Sequence, residues 1–206
     1  MNQEPPTNQF RCPEGEDGLK VLEHMNDHHV PLWEFVLSKM PSSVDGCIVD
    51  VGCGGGGFLL KMYSKYPYAM YHGVDISDTC LGKTREMCAD MVSEGSLELH
   101  RSSVESMPFG DGTVDVVTAN ETYFFWPDLD AALKEISRIL SEGGLLMVSN
   151  EMAISDSNRA EVQRSSEEYG TRIIDDEVLL RKMSEVGLDG RVYRQGDWAV
   201  YKARKV

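Results

Sequence analysis

A run of glycines follows a short apolar stretch that ends in an acid, and it is the first candidate for a functional site. The run lies within the segment Val49-Asp50-Val51-Gly52-Cys53-Gly54-Gly55-Gly56-Gly57-Phe58. Glycine has no Cβ to occupy ligand space and adopts positive φ readily, so the backbone can approach a ligand closely. A helix beginning after the run would add free backbone N–H groups. We therefore interpret the run as a ligand-binding turn between a strand and a helix rather than as a flexible linker.

A second acid ends the next apolar stretch, which runs from Met70 to Asp75. In a doubly wound sheet, an acid at the tip of the second strand lies beside the first glycine turn. From there it can accept hydrogen bonds from both hydroxyls of a ribose. An isolated acid at a strand end would be interpreted as an ordinary solvated residue. The position of Asp75 relative to the glycine run favours ribose binding instead.

Two classes of enzyme share these features. Gly52, Gly54 and Gly57 satisfy the GxGxxG spacing of nicotinamide-cofactor domains, so an NAD(P)-dependent oxidoreductase remains an alternative at this point. Tyr201 and Lys205 form a Tyr-x-x-x-Lys pair, but they fall in a strand pattern, where the two side chains would not share a helical face. We interpret that pair as coincidence.

The elements that must position these residues follow an alternating pattern. From Cys47 onward, short apolar runs alternate with amphipathic stretches, which predicts βα units around a parallel sheet. The last two extended patterns, 188–195 and 198–206, are joined by Gly196 and Asp197 with no helix between them. We expect them to form an antiparallel hairpin at one edge. The predicted fold class is α/β, with a seven-stranded and mostly parallel sheet.

The region before the sheet divides into two parts. Residues 1–18 contain adjacent prolines and turn formers without apolar periodicity, so we predict a flexible N-terminal arm. Apolar residues then recur at helical spacing from Leu19 to Met40, with Pro31 suited to a first helical turn. We predict helices within 19–45 and a single domain over 19–206.

Composition restricts the function and the location. The formal charge of −14 over 206 residues would repel a phosphate backbone, so nucleic acid is not expected as a partner. No apolar stretch reaches the roughly 20 residues of a membrane span, and the polar start does not resemble a signal peptide. The five cysteines form no CxxC pair, which is typical of free thiols in a reducing compartment. We expect a cytoplasmic protein that does not bind a membrane.

Four segments in order resemble the class I S-adenosylmethionine-dependent methyltransferases, especially small bacterial members. The resemblance covers about residues 18 to 206, and four motifs carry it: VDVGCGGGGF, GVDIS, SSVESMPFGDGTVDVV and LKEISRILSEGGLLMVSNE. The terminal hairpin also agrees. The resemblance implies a Rossmann-like three-layer sandwich, with S-adenosyl-L-methionine as cofactor and S-adenosyl-L-homocysteine as product.

The resemblance also implies a set of cofactor contacts. The methionine portion of the cofactor is surrounded by Asp50, Gly52, Gly54 and Gly56, and its ribose is held by Asp75. The adenine is contacted by Ile76, Ser103 and Val104. A further implied contact is Asn120, at the end of the fourth strand. Ser103 departs from the family pattern, which has Asp at this position. A hydroxyl accepts a hydrogen bond from the adenine amino group without the charge of a carboxylate, so we expect weaker recognition there.

The fourth strand is implied to end where cofactor and acceptor meet. An aromatic run follows this strand, and its residues Tyr123 and Trp126 are candidates for the substrate pocket. The alternative is that the run only covers the edge of the sheet. Glu121, His28 and His29 are candidate bases, needed only if the acceptor arrives protonated. The spacing of His24 and His28 would permit a metal on a helix, but no third ligand accompanies them in the sequence, and we predict no metal.

The sequence thus predicts a methyltransferase that acts on a small molecule. Two alternatives remain open: the nicotinamide-dependent oxidoreductase and a non-catalytic protein that keeps the fold as a binding module. The sequence does not fix the atom that receives the methyl group or the oligomeric state.

Overall fold

The computed structural model describes residues 8–206. The described residues form one seven-stranded sheet in the order β3-β2-β1-β4-β5-β7-β6. Strands β1 to β5 pair in parallel, and β7 is antiparallel to both of its neighbours, β5 and β6. The predicted mostly parallel sheet with a C-terminal hairpin is confirmed. The strands are β1 Cys47–Val51, β2 Met70–Asp75, β3 Leu97–Arg101, β4 Val114–Asn120, β5 Leu140–Asn150, β6 Leu188–Gln195 and β7 Trp198–Lys205.

Helices connect the strands and pack on both faces of the sheet. A 3₁₀ turn, Tyr123–Phe125, follows β4. The α-helices are α1 Asn8–Arg11, α2 Gly15–His28, α3 Val30–Lys39, α4 Gly57–Lys65, α5 Asp78–Met87, α6 Ala89–Ser93, α7 Leu129–Ile139, α8 Arg159–Tyr169 and α9 Asp176–Glu185.

The parallel strands are buried on both faces, as expected when helices cover both sides of a sheet. Along β1, Ile48 belongs to one apolar cluster and Val49 to the other, because successive side chains point to opposite faces. Leu133 of α7 lies in the cluster with Val49, and Leu59 of α4 lies in the cluster with Ile48. This three-layer packing fixes the carboxyl ends of β1, β2, β4 and β5 along one edge.

The described part of the predicted N-terminal arm, residues 8–18, contains helical segments. Helix α2 begins at Gly15, and Gly18 is already buried within it. The Oγ atom of Ser77 donates a hydrogen bond to the carbonyl oxygen of Pro13 at 2.6 Å, which ties this segment to the end of β2. A polar contact of this kind needs no apolar side chains, so the sequence before Leu19 shows little apolar periodicity. Residues 1–7 of the predicted arm lie outside the described residues.

No helix within residues 8–206 combines the length and the apolar character that crossing a bilayer would require.

Asp128 caps α7, the helix that follows the aromatic turn. Its Oδ1 atom accepts hydrogen bonds from the backbone N–H groups of Asp130 and Ala131, both at 3.0 Å. Asp128→Ala should lower the free energy of unfolding by about 1 kcal/mol because two helix-end donors lose their acceptor. Urea denaturation measures the change. Glu14 precedes α2 without a capping bond and is the control, because Glu14→Ala should cost less. Equal losses in the two variants would contradict the capping role of Asp128.

Candidate active site

The glycine turn connects the ends of three strands. The N–H groups of Gly52 and Cys53 both donate to the Val74 carbonyl oxygen of β2, at 2.8 and 3.1 Å. Gly52 has φ of 68°, and a Cβ at this position would lie 2.4 Å from the Thr122 Oγ1 atom that follows β4. A side chain at Gly52 therefore meets both backbone strain and a steric clash. The turn is thus held against β2 and lies close to the residue that follows β4.

Asp75 ends β2 beside this turn, as predicted. Its Oδ2 atom accepts from the Gly54 N–H at 3.0 Å, and its Oδ1 atom accepts from the Ser77 N–H at 2.9 Å. The residue is only 9 % exposed. Burial raises the pKa of the Asp75 carboxyl, and the backbone hydrogen bonds oppose that shift. Each oxygen has a further lone pair, so the carboxylate can still accept bonds from a diol.

A pocket opens next to Asp75. Ile76 lines it and is 44 % exposed, which is unusual for an isoleucine next to a buried strand. Ser103 lies in the pocket wall, and its Oγ atom accepts from the Glu105 N–H at 3.3 Å. The lining combines the strand ends with the aromatic turn and the N-terminal segment: Arg11, Val51, Gly52, Val74, Asp75, Ile76, Ser102, Ser103, Val104, Thr122, Phe125, Trp126 and Pro127.

Asp50 and Asn120 lie deeper, where β1 and β4 pair. Asp50 is 3 % exposed, and its Oδ1 atom accepts from the Thr118 hydroxyl at 2.6 Å. Burial raises the pKa of the Asp50 carboxyl to about 7. The Oδ1 atom of Asn120 accepts from the Ser149 hydroxyl at 2.8 Å. Among the described residues, the Nδ2 atom of Asn120 is the buried side-chain donor that lacks a hydrogen-bond partner.

A second polar cluster lies at the ends of β4 and β5, and we call Glu121, Glu151, His28 and His29 the acidic–histidine cluster. The Oε1 atom of Glu121 accepts from the Glu151 N–H at 2.6 Å. The Oε2 atom of Glu151 lies 3.1 Å from the Nε2 atom of His28 and 3.9 Å from that of His29. The three predicted bases are thus brought together by an acid that the sequence analysis missed. Glu151 follows an apolar strand pattern, the same signal that identified Asp75.

Glu121 adopts a backbone conformation that side chains rarely occupy. Its φ is 53°, and it is the non-glycine residue with positive φ among residues 8–206. Such a conformation costs about 1–3 kcal/mol and persists only where the surroundings fix it. Backbone bonds do so here, because the Glu121 N–H donates to the Ser149 carbonyl oxygen at 3.2 Å. The result is a carboxyl group held at the edge of the sheet.

The cluster perturbs the acidity of its members. Burial raises the pKa of the Glu121 carboxyl to about 8, and the charge of Glu151 adds to the shift. Burial also raises the pKa of Glu151. The pKa of His29 falls to about 4 because of burial and the neighbouring His28 and His24. At neutral pH, His29 is therefore a neutral imidazole and Glu121 is largely protonated.

The N-terminal helices lie across both parts of the site. The Nδ2 atom of Asn26 in α2 donates to the Gly55 carbonyl oxygen at 3.3 Å. Trp33 of α3 packs against Phe58 at the start of α4, with ring centroids 5.9 Å apart. Together with the contact between His28 and Glu151, these bonds connect the glycine turn to the acidic–histidine cluster.

The two predicted substrate-pocket aromatics have different environments. Tyr123 is 2 % exposed and packs in the core, and its hydroxyl accepts a bond from Asn150 at 3.4 Å. It does not line the pocket, because the 3₁₀ turn directs it beneath the sheet edge. Trp126 does line a pocket, but on the side of Ile76 and Ser103. Phe125, which the sequence analysis did not single out, lies in the same wall.

The fold is a Rossmann-like α/β sandwich, and comparison with known proteins indicates what it is similar to. A family model described as "Methyltransferase domain" matches residues 49–148. This segment of the chain, from β1 to β5, is therefore similar to methyltransferase domains.

The similar proteins differ in what they methylate. The chain is 28% identical to dimethylglycine N-methyltransferase of Parasynechococcus marenigrum, over 55% of this chain and 40% of that protein. It is 30% identical to the sterol 4-C-methyltransferase strm-1 of Caenorhabditis elegans, over 64% of this chain and 38% of that protein. The matches thus cover less than half the length of either relative.

Solved structures agree in fold. Geranyl diphosphate C-methyltransferase from Streptomyces coelicolor, in complex with Mg²⁺, geranyl diphosphate and S-adenosyl-L-homocysteine, superposes with a TM-score of 0.76 at 17% identity. The match covers 98% of this chain and 89% of that one.

S-adenosylmethionine is the cofactor of this class of domain, and two features of the structure fit it. The buried Asn120 Nδ2 atom has a free hydrogen to donate, and the exposed Ile76 offers an apolar surface in the same region as the Asp75 carboxylate. A nucleoside with an amino-acid tail requires an apolar platform, a diol acceptor and polar donors. The residues present supply all three.

The shifted pKa of Glu121 predicts a pH-dependent stability. Unfolding returns the pKa from about 8 to 4.5, so between these values the folded state holds a proton that the unfolded state has lost. Stability should therefore fall as pH rises, by at most about 1.4 kcal/mol per pH unit from this group. The variant Glu121→Gln has no titrating carboxyl group at this position and so lacks this pH-dependent part of the stability. The stability of the variant relative to the wild type, from urea denaturation, should increase between about pH 5.5 and pH 7.5. The exposed Glu142→Gln is the control, and a constant difference for Glu121→Gln would contradict the shift.

Proposed function

We propose that this chain transfers the methyl group of S-adenosylmethionine to a small-molecule acceptor bound at the ends of β4 and β5. One observation carries the proposal: the strained, partly buried Glu121 of the acidic–histidine cluster directly precedes Thr122, which lines the strand-end pocket that contains Asp75. Active sites concentrate backbone strain and perturbed acid groups in this way. The similarity to methyltransferase domains supports the reaction class, and the cluster supports this position for the acceptor.

The cofactor contacts follow from the pocket. We infer that Asp75 accepts bonds from the ribose hydroxyls and that Ile76 and Trp126 contact the adenine. Asn120 donates through its free Nδ2 hydrogen to the methionine portion. Gly54 supports this interpretation, because an added Cβ would come no closer than 3.8 Å to Leu22 and 4.0 Å to the Gly52 carbonyl oxygen, so the space above the turn can accept a ligand.

The acceptor is activated by residues of the acidic–histidine cluster. The sulfonium supplies an electrophilic methyl group, and the protein's task is to align the acceptor and to take its proton where it has one. A base works best when its pKa is near the working pH, which favours Glu121, with a pKa of about 8, over His29, with a pKa of about 4. The Oε1 atom of Glu121 is already bonded to the Glu151 N–H, so the acceptor would be bonded through the Oε2 atom.

The two histidines then have positioning roles. His28 bonds to Glu151 and holds that carboxylate beside Glu121. His29 is 12 % exposed and neutral, so it can accept a hydrogen bond from the acceptor or donate one to Glu151. The Glu151 carboxylate and the carboxyl oxygens of Glu121 favour an acceptor that presents an amine or a hydroxyl, since both groups donate hydrogen bonds.

We keep the cytoplasm as the proposed location and a small molecule as the proposed partner. All five cysteines are free, which supports a reducing compartment. The net charge of −14 disfavours nucleic acid as the acceptor.

Two measurements test the function. Calorimetric titration should show binding of S-adenosylhomocysteine and none of NADH, whereas binding of NADH alone would favour the oxidoreductase. Transfer of a labelled methyl group from S-adenosylmethionine to a panel of small amines and alcohols should then show turnover. Cofactor binding without turnover on any acceptor of the panel, or on a metabolite extract, would indicate a binding module.

Asp75→Asn should weaken binding of S-adenosylhomocysteine. The amide replaces a charged acceptor by a neutral group that accepts through one oxygen, and a charged acceptor contributes about 1.5–3 kcal/mol, or tenfold to a hundredfold in affinity. Isothermal titration measures the change, and circular dichroism checks the fold. The exposed Asp78, which pairs with Arg101 at 3.3 Å, provides the control variant Asp78→Asn. Unchanged affinity in a folded Asp75→Asn variant would remove this residue from the cofactor site.

Glu121→Gln should lower kcat by roughly 10²–10⁴-fold while cofactor affinity stays within about twofold, because a general base contributes to the transition state. The wild-type rate should rise with pH through about 8 as the carboxyl group ionises, and the variant should lose this dependence. Steady-state kinetics across the pH range measures both effects. If the variant keeps the wild-type pH profile, Glu121 is not the base.

A further inference from the structure

A second group of histidines lies outside the proposed methyl-transfer site, on the outer strands of the sheet. His72 of β2 is the register partner of Glu98 of β3, and His100 follows two positions after Glu98. Side chains two positions apart on a strand share a face, so all three project from the same side. We call these three residues the sheet-edge triad.

The ligand atoms of the sheet-edge triad are close to one another. The His72 Nδ1 atom lies 3.0 Å from the His100 Nε2 atom. The Glu98 Oε2 atom lies 3.8 Å from the first nitrogen and 3.9 Å from the second. Metal–ligand bonds of about 2.0–2.2 Å separate neighbouring ligand atoms by roughly 3.0–3.5 Å. The two nitrogens are therefore already at a suitable distance, and only the carboxylate needs to move inward.

The exposure of the three side chains fits an inward movement of the carboxylate. The side chains of His72 and His100 are 17% and 23% exposed, whereas that of Glu98 is 64% exposed and can rotate. Phe109 packs edge-on against both imidazoles, with ring centroids 5.1 and 5.3 Å apart. An aromatic wall and two adjacent strands thus hold the imidazoles rigidly, while the carboxylate remains free to close the site.

The chemistry of the donors selects the class of ligand. Two imidazole nitrogens 3.0 Å apart can share only one bridging proton, so one of the two facing nitrogens presents a lone pair. Neutral imidazole is the form that binds metal. Two nitrogens and one carboxylate oxygen suit Zn²⁺ and its neighbours in the first transition row, whereas Mg²⁺ and Ca²⁺ prefer all-oxygen sites.

We propose that His72, Glu98 and His100 bind a divalent first-row transition-metal ion such as Zn²⁺. The three protein ligands leave at least one coordination position for water, and the ion joins β2 to the edge strand β3. His72 precedes Asp75 by three residues, about 10 Å along the strand, so the ion lies apart from the proposed transfer site. Its effect is to stabilise the strand that positions the ribose-binding acid.

The acidic–histidine cluster offers a competing arrangement. His28, His29 and Glu151 also have ligand atoms close together. However, His28 is 57% exposed and lies where α2 meets α3, so these ligands depend on the packing of helices rather than on paired strands. A test of the sheet-edge triad must therefore distinguish the two places.

Calorimetric titration of the full chain with Zn²⁺ measures the proposed binding. The wild type should bind one equivalent at the sheet-edge triad. Glu98→Gln replaces an exposed residue and should keep the fold, yet weaken this binding by roughly tenfold or more. His100→Ala should abolish it, and His28→Ala/His29→Ala should retain it. Circular dichroism and affinity for S-adenosylhomocysteine establish that each variant is folded.

Co²⁺ absorption identifies the ligand type, because thiolate ligands give an intense charge-transfer band that nitrogen and oxygen ligands lack. Spectra without that band exclude the cysteines as the binding groups and support the triad. Zn²⁺ binding that is unchanged in both Glu98→Gln and His100→Ala would overturn the proposal, as would binding lost only in His28→Ala/His29→Ala. Absence of Zn²⁺ binding by the wild type would overturn it as well.

Discussion

Asp75 accepts backbone hydrogen bonds from two segments at once, and the shape of the pocket that it lines depends on this arrangement. One oxygen binds the Gly54 N–H of the turn after β1, and the other binds the Ser77 N–H at the start of α5. A buried carboxylate is costly unless such bonds satisfy it, so removal of either donor would destabilise its charged form. Ser77 extends the connection to Pro13 in the N-terminal segment. One charge thereby links the glycine turn, the second strand and the helices above them.

The same edge of the sheet holds a different kind of constraint at β4 and β5. Glu121 occupies a strained conformation that propensity alone would not select, and a neighbouring acid raises its pKa further. The backbone preference of a glutamate therefore conflicts with the conformation that the fold imposes, and such conflicts are typical of functional positions. Hydrogen bonds hold this conformation, since the Ser149 carbonyl oxygen lies within β5 and the Glu151 N–H directly follows that strand.

The helices before the sheet connect these two constraints. Asn26 contacts the glycine turn, and His28 contacts Glu151, so α2 connects the glycine turn with the acidic–histidine cluster. Movement of this helix would alter the two parts together. Because relatives of this domain methylate acceptors as different as dimethylglycine and a sterol, the segments that cover the acceptor position are the ones expected to decide the acceptor.

The sequence by itself determined the sheet, the glycine turn and Asp75, because each is encoded by residues that are adjacent in the chain. Alternating apolar runs predicted the strands, and glycines after a strand predicted the turn. The tertiary structure alone decided which distant side chains meet. His28 and Glu151 are 123 positions apart, and His72 meets His100 only because β2 and β3 pair in one register. The orientation of Tyr123 into the core, and of Trp126 into the pocket, depends on how one 3₁₀ turn packs against the sheet. Long-range packing has no local sequence signal, and so these contacts could not be predicted from the chain alone.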